Sequence, residues 1–404
     1  MENSPESNVL ATRSRNISAI HLRSGHDGEA FLVASVMPGQ PTVAAARDAY
    51  ERIASHLLDA RLEIVQERIF ASRSVSRELL ETRAAVLRAA GVPDDGAYTY
   101  IEGHPTCGEG MAGVIVRGVP RGSTEALRSL RDGKGPCGRA WEKHGATFLM
   151  LQGIHGLEPG PGAVNTRSAQ TRRIIERAER LLAEQGATFR HVTRTWFYLS
   201  RILDWYEAFN RVRSEKYRTL RIMPEPGSPE MLLPASTGIS GENLHGAAAV
   251  LDLLAVVTEN GADVSVRQMT NPRQMDAVRY GSAFSRGALI RASGLGTVQV
   301  SGTAAIDDQG RSLYPEDVRS QIACTLDTIE ALLEPVGCGL REIVAATVFV
   351  KHPQDGPVFR EMAVRRGLEP FPAVTVVADI CRSELLFEID AEAVCRGLPE
   401  GSGT

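Results

Sequence analysis

A chain of 404 residues exceeds one ordinary domain and predicts two or three units of about 100 to 150 residues. With 43% hydrophobic and 23% charged residues it has the composition of a globular protein with a large core, and a net charge of −4 over mixed signs gives no general basis for nucleic-acid binding. Its apolar runs stop short of the roughly 20 residues a membrane helix needs, and MENSPESNVLATRSRN lacks the apolar core of a secretory signal, so no membrane partner and a cytoplasmic location are expected.

Six cysteines, at 107, 137, 324, 338, 381 and 395, show no CxxC pair and no matching histidine spacing. Free thiols and no metal site are the expectation. Residues 17 to 40 alternate as two strands, ISAIHLRS and EAFLVASV, around a GHDG turn. A helix over 43–60 follows, then a strand over 64–72, a helix over 76–91, and strands near AYTYIEG and GMAGVIVRG. The Gly/Lys/Arg-rich stretch 121–144 reads as an exposed linker.

Beyond it the order returns. Strand 147–154 precedes a Pro/Gly loop, helix 166–186, strand 191–199 and helix 203–220, then strands around LLPASTGIS and AAAVLDLLAVV. A third round begins with ALIRAS and VQVSGTAAI, continues through a helix whose first turn carries Pro315, Glu316 and Asp317, and adds strand 342–352 and helix GPVFREMAVRR. Three copies of one small α+β domain are expected: a first unit 1–120, a linker 121–144, a middle unit 145–262 and a last unit 263–404. Fused copies of one domain pack most simply around a pseudo-threefold axis.

The last unit ends in FPAVTVVADICRSELLFEIDA, Phe371 to Ala391, which reads as two buried strands joined by a polar turn. Apolar neighbours put Glu388 inside a sheet, where a carboxylate is costly unless paired, hydrogen-bonded or protonated. A raised pKa would suit it to general acid/base work at neutral pH. A strand-end glutamate facing water is the other reading of the same pattern.

YGSAFSRGALI, SGTAAIDDQG, ATVFVKHP, FPAV and FEIDA, in that order, resemble the RidA (YjgF) family, small trimeric proteins that hydrolyse enamines and imines in clefts between subunits. The middle unit resembles it more loosely through RTWFYL, DWYEAFN and LPASTG, and the first in layout alone. Three such units, with Arg194-Thr195-Trp196 and Tyr198, Pro234 to Ile239, Asn271 to Gln274, Ser301 to Ala304, and Cys381-Arg382 followed by Leu385 to Ile389, resemble the chorismatases. The resemblance implies a pseudo-trimer of three sheet-plus-two-helix (chorismate-mutase-like) units around a central barrel, existing as a monomer or small homo-oligomer. It implies removal of pyruvate from chorismate to give a hydroxybenzoate-type product, with Glu388 as acid/base. Two features depart from the chorismatase pattern: the linker at 121–144, and YGSAFSRG, which is closer to the RidA form.

Cleaving an enol ether needs a proton donor at carbon plus water or an internal nucleophile, and a buried protonated glutamate meets the first need without metal or organic cofactor. The RidA deaminases hold substrate with an arginine one strand before their glutamate, whereas Phe371 to Ala378 contains none, which argues against that chemistry. A small-molecule carboxylate must then be held from elsewhere, and arginine forks suit it. Arg194 and Tyr198 lie on a strand flanked by Trp196 and Phe197 and are expected to face a cleft; Arg201, Arg213 and Tyr217 follow, with solvated helix faces as their alternative. Arg382 is a further candidate, and Asn210 either lines a cleft or caps a turn. Ser301 and Thr303 are expected to offer hydroxyls or backbone donors to a ligand. Cys381 is a packing thiol by type, and by resemblance accompanies chorismatases that aromatise the ring to 3-hydroxybenzoate. Three functions stay open: a chorismatase-like enzyme, a RidA-like imine hydrolase or other tailoring enzyme, and a non-catalytic small-molecule-binding protein.

Overall fold

The computed structural model describes residues 17–25, 28–122, 127–224, 232–259 and 261–396. His26 and Asp27 of the expected first turn lie outside them, as does the N-terminal stretch. The first sheet contains β1 (Ile17–Ser24), β2 (Ala30–Val36), β3 (Leu62–Ala71), β4 (Thr99–Glu102) and β5 (Met111–Pro120), in the order β1-β2-β5-β3-β4. Helices α1 (Thr42–Asp59) and α2 (Ser76–Ala90) accompany it, α2 stopping at Gly91, whose φ of 72° is left-handed.

The second sheet comprises β6 (Arg128–Asp132), β7 (Gly135–Lys143), β8 (Ala146–His155), β9 (Val192–Leu199), β10 (Ala235–Ser240) and β11 (Ala249–Thr258), ordered β10-β9-β11-β8-β7-β6. Its helices are α3 (Arg167–Ala183), capped by the Thr166 hydroxyl accepting from the Ala169 amide at 3.2 Å, and α4 (Tyr206–Thr219). The third sheet, β12-β13-β14-β17-β15-β16, is made of β12 (Val264–Met269), β13 (Gly287–Ala292), β14 (Leu295–Ala304), β15 (Ile343–Val350), β16 (Ala373–Val377) and β17 (Phe387–Arg396), with α5 (Val318–Leu333) and α6 (Asp355–Arg365).

In each unit one edge pair is parallel, β3/β4, β9/β10 and β15/β16, and the crossover between its strands is a helix. The helices cover one face of each sheet with a separate apolar core. The other faces share a fourth core that draws on all three units, including Phe70, Trp141, Trp196, Tyr198, Phe349 and Val376. This is the expected α+β pseudo-trimer. The centre is not a closed barrel of continuous ladders, because the three open sheets meet through isolated pairings, Ile101 with Asn243, His104 with Val377 and Ala235 with Ser285. Side chains fill the axis between them.

Two further expectations are corrected. The stretch read as a linker forms the β6–β7 hairpin, extending the middle sheet. Its Gly and basic residues mark an edge strand and a turn at Gly133 and Lys134, while Cys137 and Trp141 are buried and Trp141 stacks on Phe148 at 5.4 Å. The cysteines are not all free either, since Cys338 is joined to Cys395. Spacing along the chain could not show this, because folding brings together residues 57 positions apart.

Candidate active site

Strand β17 shows how one sequence serves two cores. Phe387, Ile389, Ala391 and Ala393 point to the helix side, and the alternating positions Glu388, Asp390 and Glu392 point inward, each no more than 4% exposed. Glu388 sits opposite Phe349 on β15 and Ala304 on β14. A register shift in β14 between Val300 and Thr303 brings Gly302 against its carboxylate, where a Cβ would collide with Oε1.

The cleft around Glu388 lies between the middle and last units. Tyr206 and Arg213 come from α4, Ser236 and Gly238 from β10, and Tyr280, Ser282, Phe284 and Arg286 from the segment leading into β13. Cys381 and Arg382 come from the turn before β17. Three guanidiniums alternate with two rings. Arg213 lies 5.8 Å and Arg286 5.3 Å from the centre of Phe284, and Arg286 and Arg382 lie 5.5 and 5.6 Å from that of Tyr280.

Their hydrogen bonds are to neutral groups. Arg213 donates to Asn210 Oδ1 at 2.7 Å, Arg286 to the Met275 carbonyl and the Tyr280 hydroxyl, and Arg382 to the Gly310 carbonyl at 2.9 Å. None of the three has a carboxylate within 4.0 Å among the described residues. Burial pushes Glu388 up to about 8, the neighbouring Asp390 adds to the rise, and Arg194 opposes it. The result is a neutral acid facing uncompensated positive charge. Burial, followed by Glu388, pushes the Cys381 thiol up to about 12, so it too is neutral.

A crystal structure of chorismatase matches 95% of this chain and 100% of its own, with a TM-score of 0.60 at 18% identity. The chain has a chorismatase-like fold. Within it, residues 279–395, in the last unit, match the endoribonuclease L-PSP family. RidA from the Antarctic bacterium Psychrobacter sp. is 22% identical, covering 31% of this chain and 98% of that one, with a TM-score of 0.26. The 3-hydroxybenzoate synthase of Streptomyces hygroscopicus is 28% identical over 237 residues, 52% of this chain and 65%, just under two thirds, of that relative.

Of the residues singled out from sequence, the chorismatase-like fold brings Glu388, Cys381, Arg213 and Arg382 to one cleft, with Asn210 orienting Arg213. Arg194 and Tyr198 face inward as expected but lie past the cleft, on the axis. Arg194 is fully buried, donates to the Thr237 hydroxyl at 2.6 Å, reaches Asp390 at 3.4 Å and stacks on Trp196 at 4.5 Å. Tyr198 packs edge-on against Phe70 of the first unit.

Tyr217 is buried in the core of the middle unit beside Phe189. Arg201 is turned to solvent at φ 48° and reaches Asp204 at 3.4 Å. The Ser301 hydroxyl accepts from the Ser236 amide and donates to the Ser285 carbonyl, tying the two units together. Thr303 donates to the Ser301 carbonyl, and the residue between them, Gly302, is the one that lines the cleft. Sequence reasoning missed Arg286, Tyr206, Tyr280 and Phe284. The signal for three of these lay inside YGSAFSRG, which was read for family likeness rather than for its alternating rings and charge. No described helix is long and apolar enough to cross a membrane.

Proposed function

We propose that the protein is a chorismatase-like enzyme that removes pyruvate from chorismate or a related cyclic enol-ether acid. The observation that carries this reading is the convergence of three guanidiniums lacking carboxylate partners on a buried, neutral Glu388. Chorismate bears two carboxylates and an enol ether. Arg213, Arg286 and Arg382 supply charge for the former, and Glu388 supplies the proton for the latter. The similarity to 3-hydroxybenzoate synthase over half the chain supports the same choice.

In this reading Glu388 protonates the terminal methylene of the enol ether. In the hydrolytic route water adds to the resulting oxocarbenium carbon, and the hemiketal collapses to pyruvate and the ring alcohol; in the route to a hydroxybenzoate the ring C–O bond breaks instead, the ether oxygen leaves as the pyruvate carbonyl and the ring gives up a proton. Direct formation of a hydroxybenzoate plus pyruvate consumes no net water, whereas hydrolysis to a dihydroxy acid consumes one. Cys381 enters as a neutral thiol, able to donate a proton, and not as a thiolate nucleophile.

The cavity beside Glu388 measures about 40 Å³, room for two or three waters. Substrate entry therefore requires the cleft to widen. Arg382, on a turn and held by neutral acceptors, is the least buried of the three guanidiniums. Purified protein incubated with chorismate should release pyruvate, followed through lactate dehydrogenase. Release no greater than that of Glu388→Ala would sink the reading, and turnover of amino-acid-derived imines in its place would move the assignment to the RidA-like alternative.

A further inference from the structure

The middle unit repeats the strand pairing that builds the Glu388 site. Val250 faces His155 across β11 and β8 as Glu388 faces Ala304 across β17 and β14. Both pairs then break register, at 152–153 and at 301–302, and Gly153 and Gly302 each line the neighbouring cleft. The cleft between the first and middle units is thus the counterpart of the Glu388 cleft, with valine where the acid stands. It is the roomier of the two, about 230 Å³ against about 40 Å³. The third cleft, between the first and last units, receives Ala112 from the matching stretch of β5.

The walls of the valine cleft divide into two kinds. Tyr98, Pro136, Leu244 and Val250 offer flat or apolar surface, and Lys134, His155, Arg177 and His245 are basic. The rings of His155 and His245 stack at 4.2 Å, and His155 Nδ1 is buried without a partner. Asp132 is committed to Arg177 at 2.6 Å, and the Lys134 ammonium donates to the Leu157 carbonyl at 2.8 Å. Of the other acids nearby, Glu158 is half exposed, and Asp252 lies buried behind the wall, accepting from the Thr99 hydroxyl and the Gly153 amide. Burial, then His245, Lys134 and Arg177, drives His155 down to about 3, and burial with Arg177 lowers Lys134. Besides burial, neighbouring positive charge pushes His155, His245 and Lys134 towards neutrality, which is the condition an anion relieves.

We propose that this cleft is a second binding site, taking a small planar monocarboxylate with its head at Lys134 and the histidine pair and its ring against Tyr98, Pro136 and Val250. With valine at the place of Glu388 it holds the ligand without turning it over. That last clause rests on the role assigned to Glu388; the binding does not.

Benzoate is a suitable probe. Calorimetric titration of the full-length protein should give a Kd of roughly millimolar order, as expected of a ligand with so few atoms. Lys134→Glu should weaken it at least about tenfold, the cost of losing one charge-assisted contact, and Ala97→Trp, which fills the cleft, should abolish it. Glu388→Gln should leave it unchanged, and Lys134→Glu should release pyruvate from chorismate at the wild-type rate. A benzoate-soaked crystal should show the ligand beside Val250. Density confined to the Glu388 cleft, binding that survives both Lys134→Glu and Ala97→Trp, or no heat at all would overturn the proposal. Failure of the wild type to release pyruvate would remove the Glu388 reading and leave the binding assignment to be decided by the titrations.

Discussion

Replacing Glu388 with glutamine separates its role as an acid from its cost to the fold. The carboxyl moves from an ordinary 4.5 to about 8 on burial. At pH 7 that leaves about nine in ten molecules protonated, against roughly one in three hundred for an unperturbed glutamate. Because the folded value is raised, the unfolded chain loses its proton first as pH climbs, and stability falls between pH 4.5 and about 8. The ceiling on that loss, from a shift of this size at 1.36 kcal/mol per unit, is about 5 kcal/mol. Glu388→Gln keeps the shape, cannot ionise and cannot protonate carbon. It should therefore lose pyruvate release by two orders of magnitude or more, the upper part of the range for general acid catalysis, while gaining a few kcal/mol of stability over the wild type at pH 8 and nothing at pH 4. Urea denaturation of both proteins across that range, alongside the coupled pyruvate assay, measures the two effects. Parallel stability curves would show that Glu388 titrates as a surface carboxylate, and the acid mechanism would then fail. The wild-type rate itself should fall above pH 8 as the acid ionises.

Gly302→Ala should fold yet lose most activity, because its methyl group would occupy the place of Glu388 Oε1; a wild-type turnover number would show that the carboxylate does not need that seat. Arg213→Lys and Arg382→Ala should each raise KM by about 10- to 150-fold, the cost of one charge-assisted hydrogen bond, 1.5–3 kcal/mol, with a smaller change in kcat. Arg194→Met should act on stability instead. It strips Asp390 of its 3.4 Å partner in a fully buried site, so a loss of about 3–5 kcal/mol in urea is expected, and the Glu388 limb of the pH profile should move upward because Arg194 opposes that rise. Cys381→Ala should leave pyruvate release within about tenfold, as befits a neutral thiol rather than a nucleophile, and change the product profile seen by chromatography.

Much of this was legible along the chain, for a physical reason. Helices and strands announced themselves through their periods, and the alternation in FEIDA placed Glu388 on an inward face. What the alternation could not tell was depth. Arg194, Trp196 and Tyr198 share the inward face of β9 just as Glu388 and Asp390 share that of β17, yet the inward face meets both a cleft and a sealed axis, and which of the two a side chain reaches depends on its height along the strand. At Ser301–Thr303 the error was a single residue, produced by a register shift that no composition rule anticipates. The β6–β7 hairpin was hidden by its own turn chemistry, where basic and glycine residues outweighed the buried Cys137 and Trp141. Arg286 joins Arg213 through Phe284, a contact between distant segments that only the docking of two units creates.

The three units carry Glu388, Val250 and Gly113 at matching places on their strands, opposite Phe349, Tyr198 and Phe70. In a trimer of identical subunits any substitution on that strand strikes every cleft at once, so a change that ruins catalysis is lost with it. Once three copies share one polypeptide, each cleft accumulates mutations on its own account. One can stay under selection for chemistry while its siblings drift, widen and acquire other uses, and the lineage reaches such states by single steps that never pass through an inactive ancestor.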